Sequence, residues 1–171
     1  MRYRLDVVAS SVVDVVRFAG GWLFDRAMAG WDVTVLLADP PADHPDDRPL
    51  QILGARTLDL EDALASVGTR PRPQALAAAA DLYGCDPRVR RGVLRALDHG
   101  VTEVTLWGRR WPAELDDSVA LVQHQLTRAA QTFKAQALAA AGSPASSIGC
   151  TETFRSPLMG CPSVAADLLP A

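Results

Sequence analysis

Residues 4–39 read "RLDVVASSVVDVVRFAGGWLFDRAMAGWDVTVLLAD", and this stretch decides the fold. Its start, "RLDVVAS" (4–10), is a short β-branched run suited to a buried strand. Val12, Val16, Leu23 and Ala27 then recur at helical spacing, and Gly30 stands where a helix C-cap is wanted. "WDVTVLLAD" (31–39) is a near-continuous apolar run, the pattern of a parallel strand covered on both faces. Strand, helix and strand in one stretch predict a βαβ unit with a right-handed crossover.

Working outward, "PPADHPDDRP" (40–49) is a polar, proline-rich loop, and "LQILGARTLDL" (50–60) reads as a third strand or strand pair. "EDALASVG" follows as a short helix closed by glycine, and an alanine-rich helix is expected over 74–84. In "DPRVRRGVLRALDHG" (86–100), Asp86 is an N-cap, Pro87 fills the first helical position and Gly100 lies past the end. "VTEVTLWG" (101–108) is the last clear strand. The longest helix is predicted over 115–141, with Leu115, Val119, Val122, Leu126, Ala129 and Phe133 along one stripe. Its alanine-rich end suggests a homodimer seam. Residues 143–171 are rich in Ser, Pro and Gly without periodicity, so they are expected to form an extended tail or arm beyond an α/β domain of 1–142.

A chain of 171 residues can bury one sizeable core. Its net charge of −3 argues against gripping a nucleic-acid backbone, so Arg88, Arg91 and Arg95 read as a solvated helix face. No apolar run is long enough to cross a membrane, and a cytoplasmic location is expected. Cys85, Cys150 and Cys161 are odd in number and lack metal spacing, which fits reduced thiols, with Cys85 expected to be buried. His44, His99 and His124 are scattered, and His124 reads as an exposed or interface residue.

Gly20 and Gly21 interrupt a helix, where each should cost about 1 kcal/mol relative to alanine. Two readings stand side by side: close packing of the helix on the sheet, or backbone contact with a ligand. In open α/β sheets ligands bind where strand ends lead into helices. That places Ser10, Ser11, Asp14, Gly20 and Gly21 in a candidate crevice, together with Trp107, Arg109, Arg110 and Trp111 of "WGRRWP". No residue is assigned as catalytic.

With "VVA" at 7–9, "GG" at 20–21, "AG" at 29–30 and "DVTVL" at 32–36, residues 5–39 resemble the zinc-dependent PIG-L-type de-N-acetylases. The resemblance implies a metal loop after the first strand and removal of acetyl groups from N-acetylglucosamine conjugates. Laid along that loop, the ligand histidine falls on Ser11, the acidic positions on Val13 and Asp14, and the glutamate on Val15. Only Asp14 keeps its type, so the metal-ligand motif is lost. "HPDD" at 44–47 follows the second strand and reads as coincidence.

The expected fold is α/β: a single three-layer Rossmann-like domain, its sheet mainly parallel, with helices on both faces and a C-terminal arm. The expected function is a non-catalytic binding or assembly protein, homo-oligomeric, with no cofactor or metal and a protein partner reached through the tail. The alternative is a small-molecule-binding enzyme, hydrolase- or transferase-like, using the crevice after the first strand.

Overall fold

The opening βαβ unit is present, with β1 (Arg4–Ala9), α1 (Val12–Met28) and β2 (Asp32–Leu37), and the two strands pair in parallel from Arg4↔Asp32 to Ala9↔Leu37. The computed structural model describes residues 2–39, 46–66, 68–115, 117, 119–157 and 166–171. The chain continues through α2 (Arg48–Ile52), β3 (Arg56–Asp59), α3 (Leu60–Ala65), β4 (Ala75–Ala79), α4 (Ala80–Cys85) and α5 (Pro87–His99). It ends with β5 (Glu103–Trp107), β6 (Val119–Gln125), α6 (Arg128–Ala140), β7 (Thr151–Pro157) and β8 (Leu169–Pro170).

All eight strands form one sheet in the order β3-β2-β1-β4-β5-β7-β6-β8. The first five run parallel, while β7 pairs antiparallel with β5 and β6, and β8 pairs antiparallel with β6. The sheet is therefore mixed. The chain leaves β1 toward β2 and β3 on one side and returns to β4 and β5 on the other, so the order reverses between β1 and β4. Helices α1, α2 and α6 pack on one another, while α3 and α5 flank a groove floored by Val8 and Leu76.

Local chemistry starts each helix. Ser11 Oγ accepts from Asp14 N–H at the head of α1, and Asp59 accepts from Glu61 and Asp62 N–H at the head of α3. Asp86 accepts from Arg88 N–H and Pro87 follows it, while Gly100 closes α5 at φ 62°.

Several expectations are corrected here. Residues 50–60 split into the end of α2 and strand β3. The alanine run at 75–79 is a strand between β1 and β5, with Ala77 and Ala78 fully buried. Burial in the middle of the sheet overrides alanine's helical preference. The long helix over 115–141 is instead β6 followed by α6, with Thr127 as N-cap accepting from Ala130 N–H. The arm is not an arm over 151–157: Glu152 and Phe154, spaced by two, are buried in a strand paired along β6. Cys85 and Cys150 are free thiols, both exposed, Cys85 against expectation; Cys161 lies outside the described residues.

Gly21 explains half of the glycine pair. A Cβ there would lie 2.5 Å from Leu126 Cγ and 3.2 Å from Glu152 Oε1. Glu152 accepts from Gly21 N–H at 2.9 Å, Trp22 N–H at 2.8 Å and Lys134 Nζ at 2.6 Å, and Lys134 also donates to Arg17 O at 2.7 Å. Burial pushes the Glu152 carboxyl up, against the pull of Lys134 and the two backbone donors.

A second buried cluster fastens the C-terminus. Arg26 lies between the Trp22 and Trp31 rings, 4.9 Å and 4.2 Å from their centroids. It donates to Glu103 at 2.9 Å and twice to Asp167 at 2.6 Å. His124, expected at the surface, is buried, bonding Asp25 at 2.8 Å and the Asp167 carbonyl at 2.9 Å. Burial pushes the Asp167 carboxyl up, but hydrogen bonds and charge from Arg26, with His124 and Trp22 adding, hold it below the usual range.

Gly21→Ala is expected to lower unfolding stability by about 1–3 kcal/mol through overpacking. Gly20→Ala, whose Cβ meets Leu53 Cδ1 at 3.3 Å, should fall near neutral because alanine's helical gain offsets the squeeze. Denaturant melts of both variants check this, and equal stabilities would contradict it. Because Asp167 is held low, its stabilisation is present above the ordinary aspartate range and is lost as pH falls below about 4. Wild type should therefore lose more stability than Asp167→Asn between pH 5 and pH 2, as read by Trp fluorescence melts across about that range.

Candidate functional site

The order reversal between β1 and β4 opens a crevice at the carboxyl ends of the parallel strands, the standard ligand position in such sheets. A cleft of about 280 Å³ occupies it. Ser10 follows β1, Ala79 ends β4, and Trp107 ends β5, so three adjacent strand ends converge there. Asp14, Arg17 and Phe18 line one wall from α1, Asp81 comes from the first turn of α4, and Gly108, Arg109 and Arg110 come from the turn after β5. Gly108 has φ 127°, a conformation L side chains rarely adopt, and it turns the chain so that both arginines reach the cleft.

Of the residues singled out from sequence, Ser10, Asp14, Trp107, Arg109 and Arg110 are brought together. Four are elsewhere. Ser11 is the N-cap of α1. Gly20 and Gly21 lie buried in the middle of α1, against Leu53 and Leu126, so packing and not a ligand explains them. Trp111 is covered by the Arg155 guanidinium at 4.6 Å, on β7. Sequence reasoning missed Asp81 and Arg17. Asp81 was hidden because the strand before it read as helix, although an aspartate two residues past a strand end is the signal.

The charged groups differ in their commitments. Asp14 pairs with Arg17 at 3.5 Å, and Arg17 also donates to Ser143 Oγ at 2.9 Å. Arg109 sits over the Phe18 ring at 5.6 Å. Asp81 is exposed, and its carboxylate has no ion-pair partner among the described residues. Trp107 is buried, and its Nε1 has no hydrogen-bond partner among the described residues. The cleft thus brings a carboxylate without an ion-pair partner among the described residues together with three arginines, Arg17, Arg109 and Arg110.

The zinc implied by the de-N-acetylase resemblance does not fit the described donors. Zinc hydrolysis needs three nitrogen, sulfur or carboxylate ligands. Here Ser11 spends its hydroxyl on a backbone N–H, Val15 is fully buried, and Asp14 is bound to Arg17. Among the described residues no group of three His, Cys, Asp or Glu side chains could hold a metal. His44 lies outside the described residues.

No family model matches the chain, and no curated relative does. Solved structures do share the fold. The A40926 pseudoaglycone deacetylase Dbv21 aligns over 95% of this chain and 100% of its own, with a TM-score of 0.63 at 17% identity. The deacetylase of teicoplanin biosynthesis aligns over 90% and 98%, with a TM-score of 0.60 at 16% identity. The 4-carboxy-2-hydroxymuconate hydratase GalB of Pseudomonas putida aligns over 94% and 98%, with a TM-score of 0.51 at 12% identity. The deacetylase likeness extends over nearly the whole chain, well beyond residues 5–39. These neighbours are enzymes, which overturns the expectation of a non-catalytic assembly protein and favours its enzyme alternative. No helix among the described residues is long and apolar enough to cross a membrane.

Ser11→Ala should cost about 1 kcal/mol of stability, the usual value of a lost N-cap. Thermal melts check this; an unchanged melt would remove the capping role.

Proposed function

We propose that the chain is an enzyme that adds water to a small anionic substrate held in the cleft at the ends of β1, β4 and β5. One observation carries the reading: Asp81, a carboxylate without an ion-pair partner among the described residues, shares a cleft at the sheet's switch point with arginines of two other segments. The names of the structural neighbours, deacetylases and a hydratase, support this reaction class. Deacetylation and hydration share one step, addition of water, and that step needs a base for the proton and a cation for the developing negative charge.

In this reading Asp81 is the base. It takes a proton from water while the water oxygen bonds to the electrophilic carbon of the substrate. The displaced electron pair collects on the substrate oxygen beside Arg109 and Arg110. Asp81 then returns the proton, to the departing amine in a deacetylation or to carbon in a hydration. Arg17, fixed by Asp14 and Ser143, holds the anionic end of the substrate and keeps the α1 wall in place.

The test is turnover of two panels of anions, phosphorylated N-acetylglucosamine conjugates read by free amine and α,β-unsaturated carboxylates read by loss of ultraviolet absorbance. One panel should be consumed, and Asp81→Asn should lower kcat by about 10²–10⁴-fold, the range for loss of a general base. Stability should stay within about 0.5 kcal/mol, because the residue is exposed. Consumption of neither panel, or full activity in Asp81→Asn, would contradict the reading.

A further inference from the structure

A second concavity lies away from the cleft and shares no lining residue with it. It is a groove of about 500 Å³ between α3 and α5, well within the size range of small-molecule sites. Its floor is Val8, Leu36 and Leu76 of three adjacent strands, and its walls carry Leu60 of α3 and Val93 of α5. The end near the start of β1 is different in kind. Arg4, Arg70 and Arg72 gather there, and Arg4 and Arg70 continue into an adjoining hollow of about 210 Å³ that also holds Arg56.

The charges at that end do not balance. Asp6 takes Arg4 at 3.0 Å and Arg70 at 3.6 Å, and Asp32 takes Arg56. At that end four guanidinium groups, of Arg4, Arg56, Arg70 and Arg72, therefore stand against two carboxylates among the described lining residues. Arg4 and Asp6 are built into the wall, with side chains only 12% and 9% exposed. At the opposite end Arg88 is already committed to Asp86 at 2.8 Å and holds that carboxyl below its usual range. The groove is thus apolar along its length and electropositive at one end only.

We propose that this groove binds a small amphipathic anion, an acyl or aryl chain ending in a carboxylate or phosphate. The chain lies on Val8, Leu36 and Leu76, and the head meets Arg70 and Arg72. One position offers a clean block. Gly92 of α5 lines the groove, and a Cβ added there would meet no atom within 4 Å. Gly92→Leu should therefore fill the groove without disturbing the helix, where glycine is a poor residue.

Isothermal titration of the full chain with decanoate and decyl phosphate, set against decanol and inorganic phosphate, tests the proposal. The expected result is one site for decanoate or decyl phosphate, at least ten-fold tighter than for either control. Gly92→Leu should weaken it at least ten-fold, and the exposed Arg72→Ala at least three-fold, with circular dichroism unchanged. Decanol binding as well as decanoate, an undiminished affinity in both folded variants, or no binding of either amphiphile would overturn it. Turnover in the cleft is a separate readout, so either site can fail alone.

Discussion

The structure turns on one buried carboxylate. Glu152 of β7 reaches the middle of α1 and accepts from two successive backbone N–H groups while gripping Lys134 of α6. The consecutive elements α6 and β7 are thereby fixed to α1, more than a hundred residues earlier, in a buried place. Such an arrangement is demanding, because a buried charge left without its partner is strongly destabilising. It also dictates local sequence. The helix must present a backbone bare enough for the loop at Leu126 to press on it, and only glycine at position 21 leaves that space.

That clamp has a consequence at the far end of the helix. Fixing the centre of α1 sets where its first turns project, and those turns carry Asp14, Arg17 and Phe18 into the switch point of the sheet. The Arg26 cluster does the same for the last residues of the chain, tying Asp167 to α1 and to Glu103 of β5. Two buried ionic groups thus hold one helix between the parallel half of the sheet and its antiparallel edge. The cleft inherits its shape from both.

Much of the parallel half was legible because β1, β2 and β5 are largely apolar runs and α1, α3 and α5 begin at recognisable capping residues. Asp86-Pro87 and Gly100 set the bounds of α5 closely. The antiparallel half was not, since β6 and α6 share one amphipathic-looking stretch, and only Thr127 marks the break. The strand at 75–79 was misread because alanine is a helix former whose burial here depends on neighbours far away in sequence. At the site, Ser10, Asp14 and the "WGRR" turn could be found from their place after strand ends. Asp81 could not, because its strand was missed. The glycine pair drew notice for a sound energetic reason, but the explanation lay in Glu152 and Leu126, more than a hundred residues away in sequence.

The fold is shared with several deacetylases and a hydratase, while the segment after β1 holds a helix cap at Ser11 and two buried or half-buried valines, Val13 and Val15. At the same strand ends lies a carboxylate-and-arginine cleft, the place proposed for the substrate. The most direct measurement is a titration of the ¹⁵N-labelled protein with acetate, a small carboxylate able to meet the arginines. Saturable amide shifts centred on Ser10, Asp14, Asp81 and Arg109 are expected if the substrate sits there. Shifts confined to other surfaces, with those four amides unmoved at saturation, would contradict it.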